Sequence, residues 1–349
     1  MGPGHVLLTS RNRAWSEYTD ALEVPAFRRS EGLPPPCQRQ HDLGASLRLL
    51  GRYAQAYELD LDTLARREDV LRARHISTLD SGNAVSQNLM LLGRYRDALA
   101  RQEPLVRLHV QVLGPQHQQT LAARAQLVMA RRWENDGAPD FGTSMAGLLE
   151  QIRQRHGREH HRTLSFLTVY GNYLREYGDL SHAGELIDEA EAGYRTLLGP
   201  AHPVATGMLS NIGLVMQTIG ERAEAMSMFE AALAGLTANL GPDHPWALGC
   251  ALNAAGARNA NGRVREAVEL SRDTLRRARS VLGDEHPLTL SCQVALAADL
   301  RAAQEMEEAG KHEENGLLGL TRTFGAQHSH TVAARRRTRP YWDFEPQPI

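Results

Sequence analysis

Seven of the fifteen histidines in this sequence stand at a fixed interval, and they are the first candidates for chemistry. His75, His117, His160, His202, His244, His286 and His328 follow one another at 42 or 43 residues. An imidazole can ligate a metal, move a proton or cap a helix. A zinc ion shared between them would need bonds near ~2.1 Å, whereas packed helices lie about 8–10 Å apart. The column is therefore read as structural, each histidine ordering its loop and capping the helix that follows. The local pairs His160–His161 and His328–His330 have no cysteine or carboxylate at ligand spacing. No metal is expected.

Other reactive groups are sparse. The one lysine, Lys311, lies in Glu-Glu-Ala-Gly-Lys-His, which has neither the first glycine nor the following Ser/Thr of a Walker A loop. Cys250 and Cys292 are 42 residues apart. As equivalents in successive repeats they are expected beyond the ~7 Å Cα limit of a disulfide and are read as buried small hydrophobes. Cys37 falls in a Pro-rich stretch. Arg335, Arg336, Arg337 and Arg339 could hold phosphate or nucleic acid, but the simpler reading is a solvated cap complementing a helix dipole. No local pattern assembles a nucleophile with an organised base. The chain is read as non-enzymatic, with no cofactor.

The elements that position these residues follow from the repeat. Leu198-Gly199-Pro200-Ala201-His202-Pro203, Leu240-Gly241-Pro242-Asp243-His244-Pro245 and Leu282-Gly283-Asp284-Glu285-His286-Pro287 are versions of one phrase. Gly51, Gly93, Gly178, Gly220 and Gly262 form a second column, and Ala56, Ala98, Ala183, Ala225, Ala267 and Ala309 a third. Each unit reads as a helix of about 14 residues, a turn at the glycine, a longer helix and a loop. Proline fits the first helical turn, where its missing N–H has no partner to lose. The alanine lets two helices approach closely. Stacked hairpins of this kind predict an all-α, right-handed solenoid of about seven hairpins plus a C-terminal half-unit.

The phrase Leu-Gly-x-x-His-Pro-x-Thr-Leu at a 42-residue period resembles tetratricopeptide (TPR) repeats of kinesin-light-chain type over about residues 38–338. Trp133-Glu134-Asn135-Asp136-Gly137-Ala138-Pro139-Asp140 departs from it, so a longer turn is expected in the third unit. The resemblance implies that the first helix of each pair lines a concave groove, where asparagines clamp the backbone of an extended peptide. An amide suits that task because it both donates and accepts. On this resemblance the groove residues are Asn83, Gln126, Asn172, Tyr173, Asn211 and Asn253, with Arg175 as a further polar contact. Val169 and Ala295 occupy the same column without an amide.

The ends differ from the repeats. His5-Val6-Leu7-Leu8-Thr9-Ser10-Arg11, followed by Leu22-Glu23-Val24-Pro25-Ala26-Phe27, is similar to the sensor segment of NB-ARC (STAND-class) ATPases. Arg11 maps onto the arginine that meets the terminal phosphate in that family. The expected organisation is a weakly ordered NB-ARC remnant over 1–32, a Pro-rich linker over 33–37, the TPR superhelix over 38–338 and an acidic, aromatic, Pro-rich tail over 339–349. The tail, Pro340-Tyr341-Trp342-Asp343-Phe344-Glu345-Pro346-Gln347-Pro348-Ile349, resembles that of TPR proteins of FxSxx-COOH peptide systems.

With 39 basic and 41 acidic side chains, the net charge of −2 disfavours a nucleic-acid coat or a membrane-surface binder. No apolar run is long enough to span a membrane, and the start lacks the plan of a signal peptide, so a cytoplasmic location is expected. The expected function is a scaffold binding a protein or peptide in the concave groove, and the sequence leaves its oligomeric state open. One variant has the acidic tail folding back on its own groove as an autoinhibitor. The alternative is the C-terminal part of a nucleotide-dependent STAND ATPase whose P-loop lies outside this chain.

Overall fold

The computed structural model describes residues 36–134 and 140–346. The NB-ARC-like segment with Arg11, most of the Pro-rich linker and the centre of the irregular turn after Trp133 lie outside the described residues. Seven helical hairpins follow one another, then a half-unit. Their first helices are α1 (Pro36–Leu49), α3 (Ile76–Leu91), α5 (Gln118–Trp133), α7 (His161–Tyr177), α9 (Pro203–Ile219), α11 (Pro245–Ala260) and α13 (Pro287–Ala302). The second helices are α2 (Tyr53–Leu71), α4 (Tyr95–Leu113), α6 (Phe141–His156), α8 (Leu180–Leu198), α10 (Arg222–Leu240), α12 (Val264–Leu282) and α14 (Met306–Phe324), and the half-unit is α15 (Ser329–Arg335). The first helix begins at Pro36, inside the stretch expected to be linker.

The three sequence columns have distinct structural duties. Gly51, Gly93, Gly178, Gly220 and Gly262 take positive φ and close the first helix of their hairpins. Ala56, Ala98, Ala183, Ala225, Ala267 and Ala309 are buried where the two helices of a hairpin meet. All seven column histidines precede a first helix as N-caps, the ring accepting from the backbone N–H two residues on, as from Trp246 at 3.1 Å and Leu288 at 3.1 Å. That bond uses Nδ1 as an acceptor and so leaves the ring proton on Nε2.

Three of these Nε2–H groups close the superhelix on itself. His244 donates to the Leu49 carbonyl at 3.1 Å, His286 to Leu91 at 3.1 Å and His328 to Trp133 at 2.8 Å, each across 195 residues of chain. The array therefore returns to its own earlier hairpins after between four and five repeats. Gly51 and Gly93 make the return possible, because a β-carbon on Gly51 would stand 2.5 Å from Pro245 Cδ and one on Gly93 would overlap Pro287. Burial pushes the His244 and His286 imidazoles down to about 4, against which the carbonyl contacts pull upward. Cys250 and Cys292 are free and buried, and burial pushes both thiols up to about 12.

Candidate functional site: a groove holding the chain's own tail

The concave face is built from the first helices, and the segment after α15 runs back along it. From Thr338 to Pro346 the chain has no regular secondary structure and travels from α13 toward α7, against the order of the repeats. Two asparagines hold its backbone. Asn253 of α11 donates from Nδ2 to the Trp342 carbonyl at 2.7 Å and accepts the Trp342 N–H at 2.8 Å. Asn211 of α9 does the same for Phe344, at 2.7 and 2.9 Å. One step further along, Ser165 Oγ of α7 donates to the Pro346 carbonyl at 2.9 Å. The peptide thus advances two residues per repeat, the period of an extended strand.

The clamped residues set their side chains on glycines. Gly249 lies four residues before Asn253 and Gly207 four before Asn211, so each glycine shares a helix face with its asparagine. A β-carbon on Gly249 would stand 2.6 Å from Trp342 Cδ1, and one on Gly207 would overlap the Phe344 ring. Phe344 is only 4% exposed, packs edge-on against Trp246 at 5.1 Å and joins the core cluster of α5 to α9. The Trp342 ring lies 5.4 Å from Trp133, which stacks at 5.1 Å on Tyr95.

The intervening acids face arginines. Asp343 lies between Arg175, at 2.9 Å, and Arg132, and Arg132 also pairs with Glu345 and with Glu176. The Trp133 indole N–H donates to Glu345 at 3.0 Å. Burial alone would push the Asp343 carboxyl up, but Arg175 and Arg132 outweigh it and hold it below the usual carboxylate range. Burial pushes Glu345 up, and Arg132, already shared with Asp343, does not reverse that. Arg339 anchors the start of the tail. It donates to both carboxylate oxygens of the buried Asp299, at 3.1 and 2.9 Å, and to the Leu252 carbonyl at 3.1 Å. Its expected role as part of a solvated cap is thereby corrected, while Arg335 and Arg336 are exposed.

The six residues named from the sequence fall in different places. Asn211 and Asn253 hold the tail. Gln126 lines the groove floor beyond Pro346. Asn83 also borders that floor, but its amide is spent internally, accepting from Gln102 at 3.0 Å and contacting His109 at 3.2 Å. Asn172 is fully buried, and neither of its amide atoms has a partner among the described residues. It therefore takes no part in clamping the described tail. Tyr173 stacks on Tyr177 at 4.4 Å and lines a cavity of about 300 Å³ beside Tyr341.

Sequence reasoning missed Gly207, Gly249, Arg132, Trp133 and the destination of Arg339. The pair Gly207-x-x-x-Asn211 and Gly249-x-x-x-Asn253, repeated at 42 residues, was the available signal for the glycine floor. Arg132 and Arg175 are likewise repeat equivalents, 43 residues apart. Among the described residues no helix is long and apolar enough to cross a membrane.

Tetratricopeptide repeat families match residues 38–77, 78–119, 206–245 and 247–317, together more than half of the chain. No protein of curated function matches in sequence. Among solved structures, NprR in complex with its cognate peptide NprX is similar at a TM-score of 0.58 and 13% identity, over 87% of this chain and 85% of that one. A Rap protein complexed with competence and sporulation factor is similar at 0.54 and 12%, over 82% and 77%. A Podosopora anserina putative kinesin light chain with nearly identical TPR-like repeats matches at 0.36 and 22%, over 71% and 96%.

Proposed function

We propose that this chain, which belongs to the tetratricopeptide-repeat family, is a peptide-binding scaffold whose groove is occupied by its own tail until a partner peptide displaces it. The observation that carries this reading is the pair of two-way asparagine clamps on the Trp342 and Phe344 backbones. A clamp on backbone atoms accepts any extended chain, and the glycine floor and the arginines then choose the side chains. The pattern selected is aromatic, acid, aromatic, acid. The TPR folds of NprR and Rap, both solved with peptide or factor bound, are consistent with this use.

The partner is a protein or peptide, and the sequence of the tail points to a component of an FxSxx-COOH peptide system. A peptide ending Phe-x-Ser-x-x would set its phenylalanine where Phe344 sits. A sensing role alongside a STAND-type ATPase is the corresponding reading of the N-terminal segment.

A tethered tail competes at an effective concentration of about a millimolar, so a free peptide binds the intact chain weakly. The test is a labelled peptide spanning Arg339–Pro346, titrated by fluorescence anisotropy into the full-length chain and into full-length Trp342→Ala/Phe344→Ala. The variant, its tail no longer anchored, is expected to bind at least ten times more tightly. Equal affinity would sink the reading that the tail holds the groove.

A further inference from the structure

Beyond Pro346 the groove floor continues across α7, α5 and α3 as a chamber of about 210 Å³. Its polar lining includes Arg48, Asp80, Gln126, His156, Arg162 and Ser165. Ser165 is the residue that holds the Pro346 carbonyl, so the chamber opens where the described tail stops. The charges in it are unbalanced. Arg48 is neutralised by the buried Asp60 at 2.5 Å, and Asp80 is engaged by His41 at 3.1 Å. The Arg162 guanidinium has no hydrogen-bond or ion-pair partner among the described residues; its one opposing charge, at electrostatic range, is that same Asp80. The Gln126 carbonyl oxygen is buried and likewise without a partner there.

The basic groups crowd one another here. Burial, then His160 and Arg162, push His156 and His161 down to about 4. Burial is the larger cause, and the smaller part that Arg162 adds is a positive potential that an anion paired with Arg162 would offset. Gln126 stands in the same repeat column as Asn211 and Asn253, whose carbonyl oxygens accept the peptide N–H groups. Its free acceptor is therefore placed for the next such N–H.

Resting on the reading of the groove as a peptide site, we propose that this chamber takes an acidic side chain of the partner peptide, carried one to three residues beyond the position of Pro346, with Arg162 as its ion-pair partner. The tail has Gln347, Pro348 and Ile349 in that stretch and no acidic side chain. The chamber thus gives a partner in trans an attraction that the tethered tail lacks, which is what a displacing ligand needs against a local competitor.

The test uses three synthetic peptides of the tail sequence from Arg339 to residue 349, all C-terminally amidated: unchanged, Gln347→Glu and Pro348→Glu. Each is titrated into the unaltered full-length chain and into full-length Arg162→Gln. Competition from the tail weakens every peptide equally, so the ratio of dissociation constants reads the chamber alone. A charge-assisted contact replacing an uncharged one predicts that at least one acidic peptide binds about tenfold more tightly than the unchanged one. The gain is expected to shrink with added salt and to vanish in Arg162→Gln, while the unchanged peptide binds both chains alike. Binding of all three peptides with equal affinity would overturn the chamber and leave the groove standing. A gain that survives Arg162→Gln would overturn the assignment of that residue. Failure of every peptide to bind, also to full-length Trp342→Ala/Phe344→Ala whose tail no longer competes, would remove both readings.

Discussion

Removing the Asn211 amide isolates the clamp from everything else the tail touches. Asn211 is fully buried, and its amide bonds go to the Phe344 carbonyl at 2.7 Å and N–H at 2.9 Å. In Asn211→Ala both bonds are lost, at about 1 kcal/mol each, and the Phe344 N–H and carbonyl are left buried without partners at a further cost of about 1 kcal/mol or more. The docked tail is thereby weakened by roughly 2–4 kcal/mol, a factor of about 30 to 700. Hydrogen exchange of the full-length chain reads this directly. The Phe344 amide, which donates to Asn211, is expected to exchange faster by about that factor, and Trp342, clamped by the neighbouring repeat, to follow if the tail leaves as a unit. Amides within α9 are expected to keep their protection, because the helix loses none of its own bonds. Unchanged exchange at Phe344 would refute the claim that the clamp holds the tail. Equal acceleration throughout α7 to α11 would show instead that Asn211 supports the array.

Two further perturbations probe the floor and the closure. Gly207→Ala puts a methyl group where the Phe344 ring lies; since alanine favours a helix interior over glycine by about 1 kcal/mol, the array is expected to keep or gain thermal stability while Phe344 loses exchange protection, and a protected Phe344 would contradict the glycine floor. The second concerns pH. His244 and His286 are held near 4 in the fold by burial against about 6.5 in the unfolded chain. As pH falls through 6.5 the unfolded chain takes up protons that the fold refuses, so stability is full above 6.5 and lost progressively down to 4, by up to about 3 kcal/mol per histidine. Melting followed by circular dichroism is expected to fall between pH 7 and 5.5, less so in His244→Gln/His286→Gln. A melting temperature flat across that range would refute neutral, buried imidazoles at the closure.

The repeat was legible because it is local. A helix cap at His202 or a turn at Gly220 depends on residues a few positions away, so the 42-residue column carries the full instruction. The clamp at Asn211 and Asn253 could be named by resemblance because an amide on the concave face has one obvious use. Asn172 cannot be placed by the same rule, since it is buried and its amide bonds nothing among the described residues. The closure was not legible. Nothing local in His244 announces that it finds a carbonyl 195 residues back, because superhelical pitch sums small rotations over several repeats. Arg339 was misread for want of its partner, the buried Asp299, which lies in another hairpin.

Closure and tail occupancy meet at Trp133. Its carbonyl accepts from His328 across the returning turn, its ring stacks on Tyr95 and touches Trp342, and its indole N–H reaches Glu345. A change that opens the turn therefore disturbs the tail, and loss of the tail loosens the turn, by the reciprocity that linked equilibria require. The same site limits what can replace the tail. Arg132 and Arg175 are almost wholly inside the molecule, with side chains 5% exposed, and Asp343 is their common counter-ion. A neutral peptide entering the groove would strand the desolvated Arg175 guanidinium and leave Arg132 with Glu176 alone, and stripping a buried ion pair of one partner costs about 3–5 kcal/mol. That exceeds what one additional buried aromatic returns, about 1.5–3 kcal/mol. A displacing peptide therefore needs an acid between its two aromatics, whatever else it carries.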